Sequence, residues 1–432
     1  MPAADEARAP RRPRLTRALA SRNFRLFFGG QSISLVGTWI TRIATSWLVY
    51  RLTGSVLLLG VVGFCGQIPT LLLAPFAGVL VDRWDRHRIL VVTQALSLVQ
   101  SAALAVLTLA GVITVPHVLL LQVAQGVINA FDTPARQAFV SEMVEDRADL
   151  PNAIALNSSM VNASRIIGPS VGGVVIAAVG EGWCFALDAV SYVAVLASLR
   201  AMRLAPRARQ QRETHMREEL AAGFRYVTRF VPVRSALLLL SLVSVMGMPY
   251  TVLMPAISTN VLHGGPHTLG FLMTASGAGA VVGALYLASR RSVLGLGRVM
   301  VVATIAFGVG LVVFAASRRL WLALLVLPIV GGGFMVETAS TNTILQTITE
   351  ERLRGRVMAF YTLSFLGTAP IGSLIAGVVA SRIGAPATIM AGGAACIAGG
   401  VWLAARLPSI RQLVRPIYEE RGILPGYPSA ND

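Results

Sequence analysis

The chain has 432 residues, of which 55% are hydrophobic and only 13% are charged. Soluble globular domains carry about 25% charged residues, so this composition excludes an ordinary soluble protein. Apolar runs of about 20 residues, the length of a helix that crosses a bilayer, recur along most of the chain. We therefore expect an all-α integral membrane protein whose surroundings are the lipid bilayer.

Twelve apolar segments predict twelve transmembrane helices. They cover residues 24–50, 55–81, 88–111, 116–140, 151–179, 183–203, 234–262, 267–289, 297–317, 320–346, 355–381 and 385–406. A long connection after the sixth segment divides them into two six-helix bundles. The predicted organisation is a cytoplasmic arm (1–22), a first bundle (23–203), a cytoplasmic central loop (204–233), a second bundle (234–406) and a cytoplasmic tail (407–432).

Arginine supplies all 37 basic residues, and 31 of them lie in the termini and loops on one side of the predicted membrane. Positive residues accumulate on the cytoplasmic side, so we expect both termini in the cytoplasm. This distribution explains the net charge of +17 without nucleic acid. Arg42 and Arg165 are left inside the membrane. Asp188 and Arg42 both fall in the outer half, and the sequence leaves open whether they pair.

Three segments have distinctive local patterns. Residues 218–230 carry apolar residues at helical spacing and predict a helix along the membrane surface. The proline-rich tail is predicted to be poorly ordered from Pro408 onward. Pro249 and Pro255 in the seventh span predict a broken helix, because proline removes backbone hydrogen bonds.

Ionisable residues inside the predicted spans indicate a functional interior, because a charge in hydrocarbon costs several kcal/mol. Asp132 lies in the fourth span, and Asn162 and Arg165 share one face of the fifth. We expect Asp132 and Arg165 to face one cavity and to take part in proton coupling; the alternative is a static ion pair between two helices. Glu337 in the tenth span has no evident basic partner, so we predict that it carries a proton.

A charged loop joins the second and third spans. It contains Gly78, Asp82, Arg83 and Arg86 in the pattern GxxxDRxxRxR. Glycine permits close helix approach, and the acids and bases can pair at the membrane surface, for example with Arg136, or cap a helix N-terminus. We predict a gating role for Asp82; the alternative is one more basic loop.

The fifth span contains the sequence GPSVGG, which includes Gly168, Pro169, Gly172 and Gly173. Proline interrupts the backbone hydrogen bonds of a helix, and glycines permit bending or close packing. Packing alone is the simpler interpretation of such residues in a membrane helix.

The two halves are similar at an offset of 205 residues. Asp132-Thr133 matches Glu337-Thr338, and the acidic-arginine sequence that begins at Glu145 matches the one that begins at Glu350. A repeat of six-span halves is a transporter architecture in which the site lies at the midplane between the halves.

The charged loop resembles the signature loop of the major facilitator superfamily, and GPxxGG resembles the motif of its drug/proton antiporters, with Ser164 replacing that motif's first glycine. Residues 20–406 are similar to bacterial exporters that include the enterobactin exporter and macrolide-efflux proteins. The resemblance implies a monomeric transporter of a bacterial cytoplasmic membrane, without a cofactor. It also implies proton-coupled export of a small organic molecule, such as a drug or siderophore, by alternating access.

The sequence departs from the exporter pattern at Gln122. Many drug exporters carry an arginine three residues before a Gln-Gly pair, and here Gln122 stands before Gln125-Gly126. The proton relay attributed to that arginine is therefore not expected. This places the expected coupling on Asp132, Arg165 and Glu337.

No enzyme is expected from this sequence. The five histidines fall in or next to loops without an HExxH pattern, and a phosphate-binding GxxxxGK[ST] loop requires the lysine that the chain lacks. The three cysteines stand singly in apolar segments and indicate no metal site. The alternative function is a proton-coupled importer or a flippase for a lipid-like substrate.

Overall fold

The computed structural model describes residues 14–144, 146–203, 216–290 and 292–424. The α-helices are α1 (Arg22–Thr53), α2 (Val56–Arg83), α3 (Arg86–Leu109), α4 (Val115–Met143), α5 (Leu150–Val179), α6 (Glu181–Ala201), α7 (Met216–Arg229), α8 (Val231–Leu242), α9 (Tyr250–Ala256), α10 (Pro266–Ser289), α11 (Leu296–Ala316), α12 (Leu320–Ile348), α13 (Glu351–Thr362), α14 (Ala369–Ile383) and α15 (Ala385–Glu420). No strand occurs in these ranges, so the all-α prediction is confirmed.

Ten helical stretches in the described chain are long and apolar enough to cross a membrane. The helices α1 and α4, with 32 and 29 residues, have the length but are more polar. The membrane architecture is therefore confirmed, whereas the count of twelve spans stays a prediction.

The predicted break in the seventh span is confirmed. The π-helical segment Val243–Gly247 and a turn containing Pro249 separate α8 from α9. Two further π-helical segments follow: Ile257–Val261 after α9, and Leu363–Gly367, which separates α13 from α14. The hydroxyl of Ser244 donates a hydrogen bond to the backbone oxygen of Phe365 over 2.6 Å, so the two breaks touch each other.

The predicted repeat is visible in the helix boundaries. α4 runs from residue 115 to 143 and α12 from 320 to 348, so both ends are displaced by 205 residues. The helices α1 to α6 pack together as a first bundle and α8 to α15 as a second, and the bundles touch mainly where α5 meets α10 and where α2 meets α14.

Glycines allow these two contacts to be close. A Cβ atom placed on Gly173 of α5 would lie 2.9 Å from Cα of Gly270 in α10. One placed on Gly60 of α2 would lie 2.8 Å from Cα of Gly377 in α14. Backbone meets backbone at both places, as small residues permit in membrane helices, and no larger side chain fits without moving a helix.

The buried apolar side chains form three clusters with an asymmetric arrangement. One cluster contains residues of both bundles, including Tyr50, Leu253 and Ile257. The other two lie at the opposite end, which we call the arginine-rich end because it holds the loops after α2, α4, α10 and α12. One of these belongs to the first bundle, around Phe24, and the other to the second, around Val233. The bundles thus share a core at the arginine-poor end and have separate cores at the arginine-rich end.

Two expectations about the connections have different outcomes. The predicted surface helix at 218–230 corresponds to α7, while residues 204–215 lie outside the described chain. The expectation of a poorly ordered tail from Pro408 is not met, because α15 continues to Glu420. Val414 is buried in the core of the second bundle, and Arg421 donates a hydrogen bond to the backbone oxygen of Thr349 over 2.8 Å. Tertiary packing therefore holds this helix; residues 425–432 lie outside the described chain.

Candidate functional site

A cavity of about 300 Å³ lies between the two bundles. The first bundle lines it mainly with polar side chains, and the second adds Met248, Pro249, Val252 and Met273. Another cavity, of about 250 Å³, lies inside the second bundle beside α8, α11 and α15. Only the first is bounded by both halves of the repeat, so we place the candidate site there.

Three amide side chains of α4 line this cavity: Gln122, Gln125 and Asn129. Nε2 of Gln125 donates a hydrogen bond to Oδ1 of Asn129 over 3.1 Å. In the sequence, Gln122 stands out only as a departure from an exporter pattern. The three-residue and four-residue spacing, which puts all three on one helix face, was the signal for the whole set.

Asp188 and Arg42 also line the cavity, and the pairing that the sequence left open is not made. Asp188 is 1% exposed. Its Oδ2 accepts hydrogen bonds from the hydroxyls of Thr41 (2.8 Å) and Ser101 (2.7 Å). Hydroxyl groups of α1 and α3 therefore hold this α6 carboxylate in place of a cation.

Asp132 is buried, but its partners lie on α3 and on its own helix. Its Oδ1 accepts hydrogen bonds from Thr93 (2.9 Å) and Gln94 (2.8 Å), and its Oδ2 lies 3.6 Å from Nε of Arg136. Asp132 is not among the cavity-lining residues, and Arg165 is not among its partners. The structure therefore does not bring Asp132 and Arg165 into one cavity, because the arginine one turn along α4 satisfies the acid locally.

Replacing Asp132 with alanine should lower stability strongly, because it leaves Arg136 and the buried amide of Gln94 without their acceptor. Breaking a buried pair typically costs about 3 kcal/mol or more. The matched control is Glu419→Ala, which removes another pair spaced by four residues (2.8 Å to Arg415) at the surface and should cost less than about 1 kcal/mol. Thermal unfolding of both variants in the same detergent tests this, and equal losses would contradict a structural role for Asp132.

Arg165 lies beside Trp39 of α1, with its guanidinium carbon 5.8 Å from the ring centroid. Its Nε is buried and has no hydrogen-bond partner among the described residues. Asn162, one turn earlier on α5, donates from Nδ2 to the backbone oxygen of Ser158 over 3.0 Å and is not part of the cavity lining. Asn162 and Arg165 lie on the same helix but contact different groups.

Glu337 is completely buried in α12. Its Oε1 accepts a hydrogen bond from the hydroxyl of Thr341 over 3.1 Å, and its Oε2 has no partner in the described part of the chain. Residue 341 is the repeat counterpart of Arg136. The second bundle thus has a hydroxyl where the first has a guanidinium, which explains physically why Glu337 has no basic partner there.

The GPxxGG segment of α5 is a packing surface on two sides. A Cβ atom on Gly168 would overlap with Cβ of Trp39, and one on Gly172 would also meet α1. Gly173 makes the contact with α10 described above. Pro169 is buried within a continuous α5. The motif therefore joins α5 to its own bundle and to the other one.

The start of α3, which is part of the signature loop GxxxDRxxRxR, forms an ion pair with α4. Nη1 of Arg86 lies 2.6 Å from Oε1 of Glu142. At the start of α3, the side chain of Asp85 accepts hydrogen bonds from the backbone N–H groups of His87 (2.9 Å) and Arg88 (3.3 Å), which caps the helix.

Other parts of the signature loop make fewer contacts. Arg83 is exposed, and a Cβ atom on Gly78 would meet no atom within 4 Å, so this glycine makes no close helix contact in this conformation. The side chain of Asp82 lies outside the described residues. Its gating role stays a prediction.

The profile of the transmembrane secretion effector family matches residues 16–416, nearly the whole chain. The chain belongs to this family of the major facilitator superfamily. The multidrug efflux pump Tap of Mycolicibacterium fortuitum is 30% identical over 387 residues, covering 87% of this chain and 93% of the pump. The staphyloferrin A transporter of Staphylococcus aureus is 26% identical, covering 83% and 89%. The enterobactin exporter of Citrobacter koseri is 25% identical, covering 91% and 94%.

The fold is also shared with a solved transporter structure. An inward-facing, unoccupied bacterial homologue of the human lysosomal transporter Spinster superimposes with a TM-score of 0.66 at 14% identity, covering 95% of this chain and 98% of that one. This family member is therefore a multi-pass membrane protein that transports small molecules, and it is not an enzyme. The predicted resemblance to major facilitator exporters is confirmed.

Proposed function

We propose that this transporter exports a small organic molecule by proton-coupled alternating access. The observation that carries the proposal is the cavity between two repeat-related bundles, which share an apolar core at the arginine-poor end and have separate cores at the other. We infer that such an arrangement gives access to the cavity from the arginine-rich end only. Rocking of the bundles about the α5–α10 and α2–α14 contacts would close the arginine-rich end and open the arginine-poor end.

Export is favoured over import by the relatives, two of which are named as an efflux pump and an exporter. We further propose that the arginine-rich end faces the bacterial cytoplasm, as the positive-inside rule requires, so that substrate enters the cavity from the cytoplasm. The protein would act as a monomer without a cofactor.

Two buried carboxyl groups support coupling to protons. Asp188 lines the cavity and is held by hydroxyls, and Glu337 lies in α12 without a cation. Buried acids of membrane proteins that lack a basic partner typically belong to proton or ion pathways. We propose Glu337 as the main proton carrier and Asp188 as the carboxyl that responds to the substrate in the cavity.

Transport in everted membrane vesicles from cells that lack their own pumps tests this function. Fluorescent dyes and antibiotics of different charge serve as probes. An exporter should concentrate at least one of them inside the vesicles when respiration acidifies the lumen, and a protonophore should release it. Uptake only in right-side-out vesicles would establish the importer alternative, and movement of a fluorescent lipid between leaflets would establish the flippase. Accumulation that survives the protonophore would exclude proton coupling.

A hydrogen bond between the bundles closes the arginine-poor end. Nδ2 of Asn260 donates to the phenol oxygen of Tyr50 over 2.6 Å. Tyr50→Phe should therefore populate conformations open at this end. The distance between spin labels at the exposed positions 57 and 271 should shift toward longer values. The control is Tyr286→Phe, which removes a hydrogen bond from Arg290 within one bundle (3.2 Å); the same shift in both variants would contradict the closing role.

A further inference from the structure

Two arginines from different helices meet at one tryptophan. The guanidinium carbon of Arg42 lies 5.1 Å from the ring centroid of Trp39, and that of Arg165 lies 5.8 Å from the same centroid. Arg42 follows Trp39 by one turn of α1, whereas Arg165 comes from α5. The backbone oxygen of Arg165 would lie 2.8 Å from a Cβ atom on Gly277 of α10. The pair therefore sits at the boundary between the bundles.

Neither arginine has a counter-ion within the described chain. The ion pairs and hydrogen bonds of the described residues include none to the guanidinium groups of Arg42 or Arg165. Stacking on an aromatic ring stabilises a cation by about 0.5–2 kcal/mol, which does not replace the ion pair that intramembrane charges normally have. Two like charges held by one ring also repel each other. An anion bound between the two guanidinium groups would relieve this repulsion.

The surroundings have the character of a ligand site. Arg42 lines the cavity between the bundles and is exposed there. Thr45, three residues further along α1, lines the same cavity with a buried hydroxyl that has no partner. Arg165 is not part of the cavity lining; it lies behind Arg42 at the shared Trp39 ring, and its buried Nε is a second unused donor. Several donors therefore lie near one place without an acceptor of the protein's own.

Asp188 is a carboxylate that lines the same cavity as Arg42, but it forms no ion pair with either arginine. Its oxygens accept hydrogen bonds from Thr41, Ser101 and Ser191. Asp132 is paired with Arg136 (3.6 Å), outside the cavity. These two buried acids of the first bundle thus have other partners.

We propose that Arg42 and Arg165 bind the anionic oxygens of the transported molecule, a carboxylate or a similar oxyanion, while Met248, Val252 and Met273 across the cavity hold its apolar part. Guanidinium groups suit this task because they donate several hydrogen bonds in a plane that matches a carboxylate. The substrate class is then an amphipathic organic anion. The inference rests on the proposed transport function and specifies the ligand of the same cavity.

Binding to the full-length protein in phosphatidylcholine nanodiscs tests the proposal. The probes are 2-naphthoate and its uncharged analogue 2-naphthamide, measured by calorimetry. The wild-type protein should bind the carboxylate at least about tenfold more tightly, the usual effect of one charge-assisted hydrogen bond or more. Arg42→Gln and Arg165→Gln should each remove that preference and leave the weak binding of the amide unchanged.

The chain offers a matched control in Arg406, which stacks on Trp402 at 5.0 Å away from the cavity. Arg406→Gln should leave the preference for naphthoate intact. Equal affinities for the acid and the amide in the wild type, or an equal loss in the control, would overturn the proposal. This comparison of two probes on the wild-type protein also stands if a variant fails to fold.

A second measurement separates binding from structure. Without ligand, Arg165→Gln should raise the melting temperature, because it removes one of two unpaired like charges, and naphthoate should stabilise only the wild type. A lower melting temperature of the ligand-free variant, with binding unchanged, would assign Arg165 a structural role and overturn the proposal. Dye export that depends on protons but ignores substrate charge would refute only this inference, whereas carboxylate binding without gradient-driven export would refute only the transport function.

Discussion

Replacing Gly173 with valine is expected to reduce transport at least about tenfold. A Cβ atom at this position lies 2.9 Å from Cα of Gly270 and 2.9 Å from the backbone oxygen of Pro266, and backbone atoms cannot turn aside as a flexible side chain can. Overpacking of this kind costs about 1–3 kcal/mol, and it pushes α5 away from α10. Because we propose that the bundles rock about this contact, the rate should fall even where the variant reaches the membrane in normal amounts.

The initial rate of dye accumulation in everted vesicles, divided by the amount of folded protein, measures this effect. Gly29→Val is the control, because a Cβ atom on Gly29 of α1 meets no atom within 4 Å. It should transport normally. Normal rates in Gly173→Val would show that the close α5–α10 contact is dispensable for the conformational cycle.

Replacing Glu337 with glutamine is expected to uncouple transport from the proton gradient. The amide keeps the shape of the protonated acid but cannot release a proton, so uphill accumulation should fall at least about tenfold while downhill exchange continues. The buried site, with one hydroxyl partner and no cation, is the physical reason to choose this residue. Accumulation against a gradient and counterflow without one, measured between pH 5.5 and 8.5, separate the two processes.

Asp132→Asn is the matched control, because Asp132 occupies the repeat-equivalent position and has Arg136 as its partner (3.6 Å). It should lose stability and keep coupling. If Glu337→Gln still concentrates substrate with an unchanged pH profile, Asp188 in the cavity becomes the carboxyl to test. Uncoupling by both Glu337→Gln and Asp132→Asn would contradict the asymmetry between the bundles.

The sequence predicted the features that depend on local chemistry. Apolar runs gave the helices, Pro249 indicated the broken seventh span, and the 205-residue repeat anticipated the matching ends of α4 and α12. The pairing of Asp132 with Arg136 was also within reach, because residues four apart on a helix are neighbours. The sequence-based prediction instead placed Asp132 in one cavity with Arg165 of another helix.

Features that depend on helix rotation could not be predicted in this way. Whether Arg42 faces the cavity, and whether it meets Arg165, is decided by how closely α1 and α5 approach at Gly168. Small residues set the distance between the two helices, and the residue pattern of one helix does not predict how closely another helix approaches it. The prediction of a poorly ordered tail is wrong for a related reason. Pro408 and Pro416 indicate no helix in the sequence, whereas in the folded second bundle Val414 is buried and α15 continues to Glu420.

The π-helical segments Val243–Gly247 and Leu363–Gly367 have a mechanical consequence. Each π turn accommodates one residue more than an α turn, and one residue corresponds to about 100° of rotation around the helix axis. Converting a π segment to α geometry would therefore twist the helix beyond it by a large angle without unfolding. The hydroxyl of Ser244 donates a hydrogen bond to the backbone oxygen of Phe365 (2.6 Å). A register shift in one π-helical segment would therefore strain or break this bond to the other segment. Met248 and Pro249, which directly follow the segment Val243–Gly247 and line the cavity, would then rotate into or out of the cavity.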